Sequence, residues 1–318
     1  MISAKQREAF ETRTARRPDA DGLQADAQAA RRGDGEALHS LAAALAHCAF
    51  AAPETAPAVY AALRSVWLGG SGPIAVPAAA PAELSRAFWT AFWELQDARR
   101  AGQMDALAIT SRVAALGGFL DPSLRARAEA IAATHPKAGQ PATCVPPPRH
   151  SLDALARQPE GSLARDFWRQ IVENKFDLEV LDRETLNLSA LPPALRYLNT
   201  RILQMHDIWH LVGGFRTTAL HEIAISAFQQ AQFGHGYSAM FLAVIVSGAA
   251  LHGGDGTAVV LQTIAEASHY GFCSPSFMAI SWEQEWHEPL AAIRARHNIT
   301  PFNGSHPADY FERLRAVA

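Results

Sequence analysis

"RYLNTRILQMHDIWHLVGGFRTTALHE", Arg196 to Glu222, decides how this chain is read. Leu198, Ile202, Met205, Trp209 and Val212 recur at helical spacing and mark one face for a core. Gly213-Gly214 is a natural helix stop, and Thr217 or Thr218 is a natural start for a second helix. His206 and His210, four apart, project from one face of the first helix, about 40° from each other. Glu222 falls about one turn into the second helix, so a turn at 213–218 can bring it to face His210. Two imidazoles and a carboxylate with open positions suit Zn²⁺ acting as a Lewis acid, or Fe²⁺ handling oxygen. Asp207 is rotated about 100° from His206 and reaches such a metal only from the side. It is a fourth ligand, a hydrogen-bond partner of a ligand, or a general base. The bland alternative is a pair of hydrogen-bonded histidines at a helix end. A zinc-protease motif is disfavoured: the third histidine of its long form would fall on Arg216, and Asp207 is one methylene short for its base.

Outward from this stretch, the pattern is helical almost everywhere. Upstream, Asp166–Glu173 reads as a helix; downstream, Tyr237–Leu251, Ala258–Ser268 and Pro289–His297 do the same. The first half is alanine-rich, with helices expected near 36–47, 58–67, 104–116 and 122–133. "PAELSRAFWTAFWELQDARRAG" (81–102) puts Phe88, Trp89, Phe92, Trp93 and Leu95 on one face, which reads as core packing. Between the halves, "HPKAGQPATCVPPPRH" (135–150) carries five prolines and reads as a stiff linker. The expected organisation is a helical module at 1–135, a proline-rich linker at 136–150 and a metal- and lipid-binding domain at 151–318. The fold class is all-α.

Composition excludes several classes. With 318 residues, 49% hydrophobic and 19% charged, the chain is globular, and a net charge of -3 offers no bulk attraction to nucleic acid. Cys48, Cys144 and Cys273 lie far apart without a CxxC pair, so they read as reduced thiols in a cytoplasmic protein. The first residues, charged with both signs, resemble neither a secretory signal nor a transit peptide. From 223 to 254 there is no Asp, Glu, Lys or Arg, yet the apolar run Ser238–Leu251 is shorter than the roughly 20 residues of a bilayer span. It reads as a buried helix, leaving peripheral membrane contact open. "GGDG" (253–256) reads as a turn, because no GK[ST] follows. "WEQEWHE" (282–288) reads as a solvated acidic helix start rather than a second metal site.

Taken with its flanks, the metal stretch resembles the coenzyme Q biosynthesis protein 4 family, which serves ubiquinone assembly. His-Asp, two residues, His, eleven residues and Glu is similar to that family's signature. "PEGSLARDFW" (159–168) resembles its opening segment. "SWEQEWHEPLAAIRARHNIT" (281–300) resembles its C-terminal segment, with Trp286, Leu290 and Arg294 at matching intervals. The resemblance covers about residues 151–305, roughly half the chain. Where the family usually has "GMPTN…LGE", this chain has "GGFRTTALHE", with His221 before Glu222 and with Arg216 in the turn.

The resemblance implies an all-α protein that binds a polyprenylated benzenoid in an apolar groove beside one divalent metal, Zn²⁺ first and Fe²⁺, Mn²⁺ or Co²⁺ next. The implied reaction replaces the C1 carboxylate of the ring by a hydroxyl, by oxidative decarboxylation. His206, Asp207, His210 and Glu222 are the expected metal and catalytic residues. Arg216, Phe241, Ala243, Ile245 and Ser247 are expected at the substrate, the last four lining a tail channel, for which core packing is the rival use. The alternative function is a lipid-binding scaffold for other quinone-biosynthesis proteins, with a structural metal. A homo-oligomer is expected.

Overall fold

The computed structural model describes residues 2–70, 72–178, 183–184, 186–253 and 256–317. Among them there is no strand, and fifteen α-helices account for the fold. The first half holds α1 (Ala4–Thr14), α2 (Ala20–Arg31), α3 (Gly35–Phe50), α4 (Ala56–Leu68), α5 (Arg86–Arg100), α6 (Ala106–Leu116) and α7 (Ser123–Thr134). The second holds α8 (Leu152–Ala156), α9 (Leu163–Asn174), α10 (Pro193–Gly213), α11 (Ala219–Phe233), α12 (Gly236–His252), α13 (Gly256–Cys273), α14 (Leu290–His297) and α15 (Tyr310–Val317). Residues 254–255 of the turn read at 253–256 lie outside the described residues.

The all-α expectation holds, and the aromatic face of α5 is core. Phe88, Phe92 and Trp93 are buried, and Phe10 of α1 lies stacked on Phe92 with ring centroids 5.8 Å apart. Small side chains set how the helices meet. Ala42, Ala43 and Ala46 make α3 smooth, and α12 packs along it. In α13, a Cβ added to Gly271 would lie 2.8 Å from the Phe228 carbonyl of α11, so glycine permits that close crossing.

Helices from both sides of the prolines share this core: α12 packs on α3, α5 and α6, and α13 packs on α4. Polar contacts reinforce the join. Gln96 Nε2 and Arg99 Nη1 donate to the Val244 carbonyl at 2.9 and 3.0 Å. Lys137 Nζ donates to the carbonyls of Gly271, Phe272 and Ser274, where a cation suits the end of α13. The proline-rich stretch runs along the surface of α10, where Gln204 Nε2 donates to the carbonyls of Pro147 and Pro148.

Both ends of α10 are capped by distant side chains. The helix starts at Pro193 and has no local side-chain cap. The Glu129 carboxylate of α7 instead accepts from the Ala194 and Leu195 N–H groups at 2.9 and 2.8 Å. At the other end, Arg294 donates to the Leu211 and Val212 carbonyls at 2.7 and 3.0 Å. The acidic cluster 282–288 is not a solvated helix start. Glu283 pairs with buried Arg201, and Glu285, only 6% exposed, pairs with Arg296 and His297. Guanidinium and imidazole partners occupy these acids, which is why they can be buried. No helix among the described residues is long and apolar enough to cross a membrane.

Candidate metal centre

The site forms where α10 ends and α11 begins. Gly214 takes the left-handed conformation (φ 77°) that closes a helix, and a Cβ there would meet Pro301 Cβ at 2.7 Å. Phe215 is buried against Phe228 and stacked on Phe302, with centroids 5.5 and 5.0 Å away, so the turn is pinned from below. Thr218 occupies the N-cap position of α11, but its hydroxyl donates to the Ala308 carbonyl. The Glu312 carboxylate of α15 accepts the Ala219 N–H in its place, at 2.9 Å.

This turn brings His206, His210 and Glu222 together, with one ligand atom from each within 4.8 Å of the others. The two Nε2 atoms are 3.0 Å apart, and each lies 3.3 Å from a different Glu222 oxygen. His210 is 2% exposed, while the Glu222 side chain is 40% exposed, so the cluster has a closed back and an open front.

The donor set fits a divalent cation. His210 Nδ1 lies 3.2 Å from the Phe215 carbonyl, which can only accept, so Nδ1 carries the proton. The neutral ring then turns a bare Nε2 toward a carboxylate and a second imidazole nitrogen. Lone pairs so arranged repel unless a cation lies among them, and two nitrogens and a carboxylate with an open side suit Zn²⁺ or Fe²⁺. Without a metal, a proton serves. Burial works to lower the His210 pKa, but the Glu222 charge and hydrogen bond, with Asp207, raise it above the ordinary value. Burial works to raise Glu222, but His210 and His206 hold its carboxylate well below the usual range.

The other expected site residues divide. Asp207 lies beside the cluster but outside the group of three. Burial raises its pKa against the pull of the two histidines. Arg216 is exposed; its backbone N–H, not its guanidinium, serves the site by donating to His221 Nδ1 at 2.8 Å. His221 is therefore no ligand, and burial lowers its pKa to about 4. Ala243 and Ser247 have no exposed surface, and Phe241 and Ile245 are half-buried against the core. Protein encloses the positions of Ala243 and Ser247, while Phe241 and Ile245 keep part of their surface accessible. Sequence reasoning missed Gln229, whose carboxamide Nε2 sits 2.9 Å from His206 Nδ1. It is 3% exposed and falls seven residues, about two turns, after Glu222 on α11, and that shared face was the available signal.

The family model described as "Coenzyme Q (ubiquinone) biosynthesis protein Coq4" matches residues 144–303, half of the chain and the part that carries this cluster. The chain belongs to the Coq4 family. Curated relatives are named ubiquinone biosynthesis protein COQ4 homolog, mitochondrial. The rat protein is 27% identical over 150 residues, covering 47% of this chain and 55% of the relative. The human protein is 26% identical over 149 residues, covering 47% and 54%. This Coq4-family chain thus spans about half the length of the curated relatives it matches. A crystal structure from Nostoc punctiforme is 23% identical, covering 66% of this chain and 95% of that one, with a TM-score of 0.49. Helices α1 to α7 precede the matched segment.

Proposed function

We propose that this chain serves ubiquinone biosynthesis as a metal-dependent enzyme acting on the ring of a polyprenylated hydroxybenzoate, exchanging the C1 carboxylate for a hydroxyl. The observation that carries this reading is the convergence of His206, His210 and Glu222 in a Coq4-family chain. A bound divalent ion would supply a Lewis acid for the carboxylate or phenol oxygen of the ring. The exchange releases CO₂ and is a two-electron oxidation, so an external oxidant takes part. His206, His210 and Glu222 would hold the ion from the closed side and leave the open side to the substrate. Asp207, whose proton affinity burial raises, is the group able to hold or pass a proton beside the ring. The prenyl tail is not assigned to α12, because Ala243 and Ser247 are packed in protein. Other quinone-biosynthesis proteins are the partners this reading expects.

Two measurements test it. Purified wild-type protein should hold about one divalent ion per chain, and a His206→Ala/His210→Ala variant should hold none. In cells lacking the native gene product, Glu222→Gln and Asp207→Asn should abolish quinone synthesis while the protein stays folded and abundant. Undiminished synthesis from both would sink the catalytic reading and leave a scaffold.

A further inference from the structure

His206 differs from His210 in how its ring is held. The Nδ1 of His210 faces a backbone carbonyl, and its tautomer follows at once. The Nδ1 of His206 faces the side-chain amide of Gln229, which can donate or accept depending on which end it presents. The choice is decided three residues away.

Asn199, about two helical turns upstream of His206, donates its Nδ2–H to the Leu195 carbonyl at 2.7 Å. Its oxygen is therefore the end that meets His235 Nε2 at 3.3 Å, so that nitrogen carries the proton. His235 is 5% exposed and neutral, since burial pushes its pKa down to about 3. Its Nδ1 is then a bare acceptor, 2.8 Å from Ser238 Oγ, and takes the one hydroxyl proton Ser238 has. Toward Gln229, 3.1 Å away, Ser238 can only accept. The amide end at Ser238 must be the NH₂, and the end at His206 must be the oxygen.

The Gln229 amide stands with Nε2 toward His206 and Oε1 toward Ser238. In that orientation the Ser238 proton goes to Gln229, His235 donates through Nδ1, and its bare Nε2 meets the Asn199 oxygen, acceptor against acceptor. A half-turn of the amide removes this conflict without moving any other atom. Gln229, Ser238 and His235 are all buried, and a buried acceptor pair without a proton is costly.

We infer that Asn199, His235, Ser238 and Gln229 form a one-directional hydrogen-bond relay that fixes His206 as its Nδ1–H tautomer and turns its bare Nε2 toward His210 and Glu222. The four are positioning residues, since none is a ligand. The relay deepens the metal reading and rests on it, because only a ligand role gives the chosen tautomer a purpose. Donation from the far nitrogen of a ligand imidazole to an oxygen fixes the ring and raises its basicity.

The test begins on the metal-free full-length protein. ¹⁵N spectra of selectively labelled histidine, assigned with a His206→Gln variant, report the tautomer above the titration range. A protonated Nδ1 on His206 is expected, and a protonated Nε2 overturns the relay. Affinity for Zn²⁺ alone is then measured by chelator competition. Gln229→Leu should weaken it about 10- to 100-fold, the usual loss for a partner of a metal ligand. Ser238→Ala should weaken it in the same direction, with the ¹⁵N signature of His206 shifted toward a tautomer mixture. Unchanged or tighter binding in Gln229→Leu overturns the inference, because an amide that donated to His206 would leave a better ligand when removed. Should Gln229→Leu not fold, the wild-type tautomer decides alone. If wild-type protein binds no Zn²⁺ but shows the Nδ1–H tautomer, the metal reading fails and the relay stands.

Discussion

His221 shows how one atom separates a ligand from a support. It sits next to Glu222 in sequence, yet its Nδ1 accepts the Arg216 N–H, and its ring meets Phe302 edge-on at 5.6 Å. Its work is to hold the turn. Replacing His221 by Ala leaves a backbone N–H without that acceptor and is expected to cost about 1–3 kcal/mol in denaturant unfolding. Metal content should not change. The pH dependence has a definite sign. Burial lowers the folded pKa to about 4 from 6.5, so the unfolded chain binds more protons between those values. The contribution is complete above about pH 6.5 and lost as pH falls toward 4, and His221→Ala should unfold with a shallower pH dependence there. At this scale the sequence disclosed the convergence of His206, His210 and Glu222, because four-residue spacing and a glycine turn are geometric facts about a helix. It could not disclose the hydrogen bonds that Gln229 and His235 make, since which nitrogen bears a proton depends on partners 23 and 36 residues away. The exposure of Arg216 was equally invisible.

Among the elements, α10 has the clearest dependence on its neighbours. Its extent past Val212 to a stop at Gly213-Gly214 was legible and is found, in the helix Pro193–Gly213, because an apolar face and a double glycine define it. Its capping was not, because the caps come from Glu129 and Arg294. Glu129→Ala and Arg294→Ala are each expected to cost about 0.5–2 kcal/mol, the range for losing a helix cap. Hydrogen exchange should show fraying at the matching end of α10, and protection unchanged at both ends would refute the assignment. Helix α1 went unread because its residues are charged, although Ser3 and Gln6 form a reciprocal cap and Phe10 is buried. Helix α12 was readable as buried from its lack of charge, but its lining role was not something periodicity could decide. With Ala243 fully enclosed, Ala243→Phe should lower the melting temperature, consistent with an overpacking cost of about 1–3 kcal/mol. A variant of wild-type stability would mean that space exists beside α12 after all.

For the molecule as a whole, one core joins the helices before and after the prolines. Composition pointed to a linker because proline runs are stiff and unpaired. The same stiffness suits a strap laid on α10, and only the carbonyls of Pro147 and Pro148 accepting from Gln204 tell the two apart. Removing residues 1–135 would uncover the faces of α12 and α13 that α3 and α4 cover. Such exposed apolar area favours aggregation. The fragment 136–318 is expected to be insoluble or to unfold without cooperativity. A monodisperse fragment with a sharp thermal transition would show that the family segment stands alone.

The turn that holds the metal cluster is closed by residues much later in the chain. Arg294 grips the end of α10, the Phe302 N–H donates to the Gly213 carbonyl at 2.7 Å, and Ala308 and Glu312 receive Thr218 and Ala219. Synthesis delivers His206, His210 and Glu222 some 70 to 100 residues before these fastenings emerge. At about 5–20 residues per second, the three side chains therefore wait several seconds or longer as loose groups on an unfinished turn. In the metal reading, ion capture would thereby be a late event in the life of the nascent chain, scheduled by the ribosome's progress through residues 294–312 rather than by the arrival of the three side chains themselves.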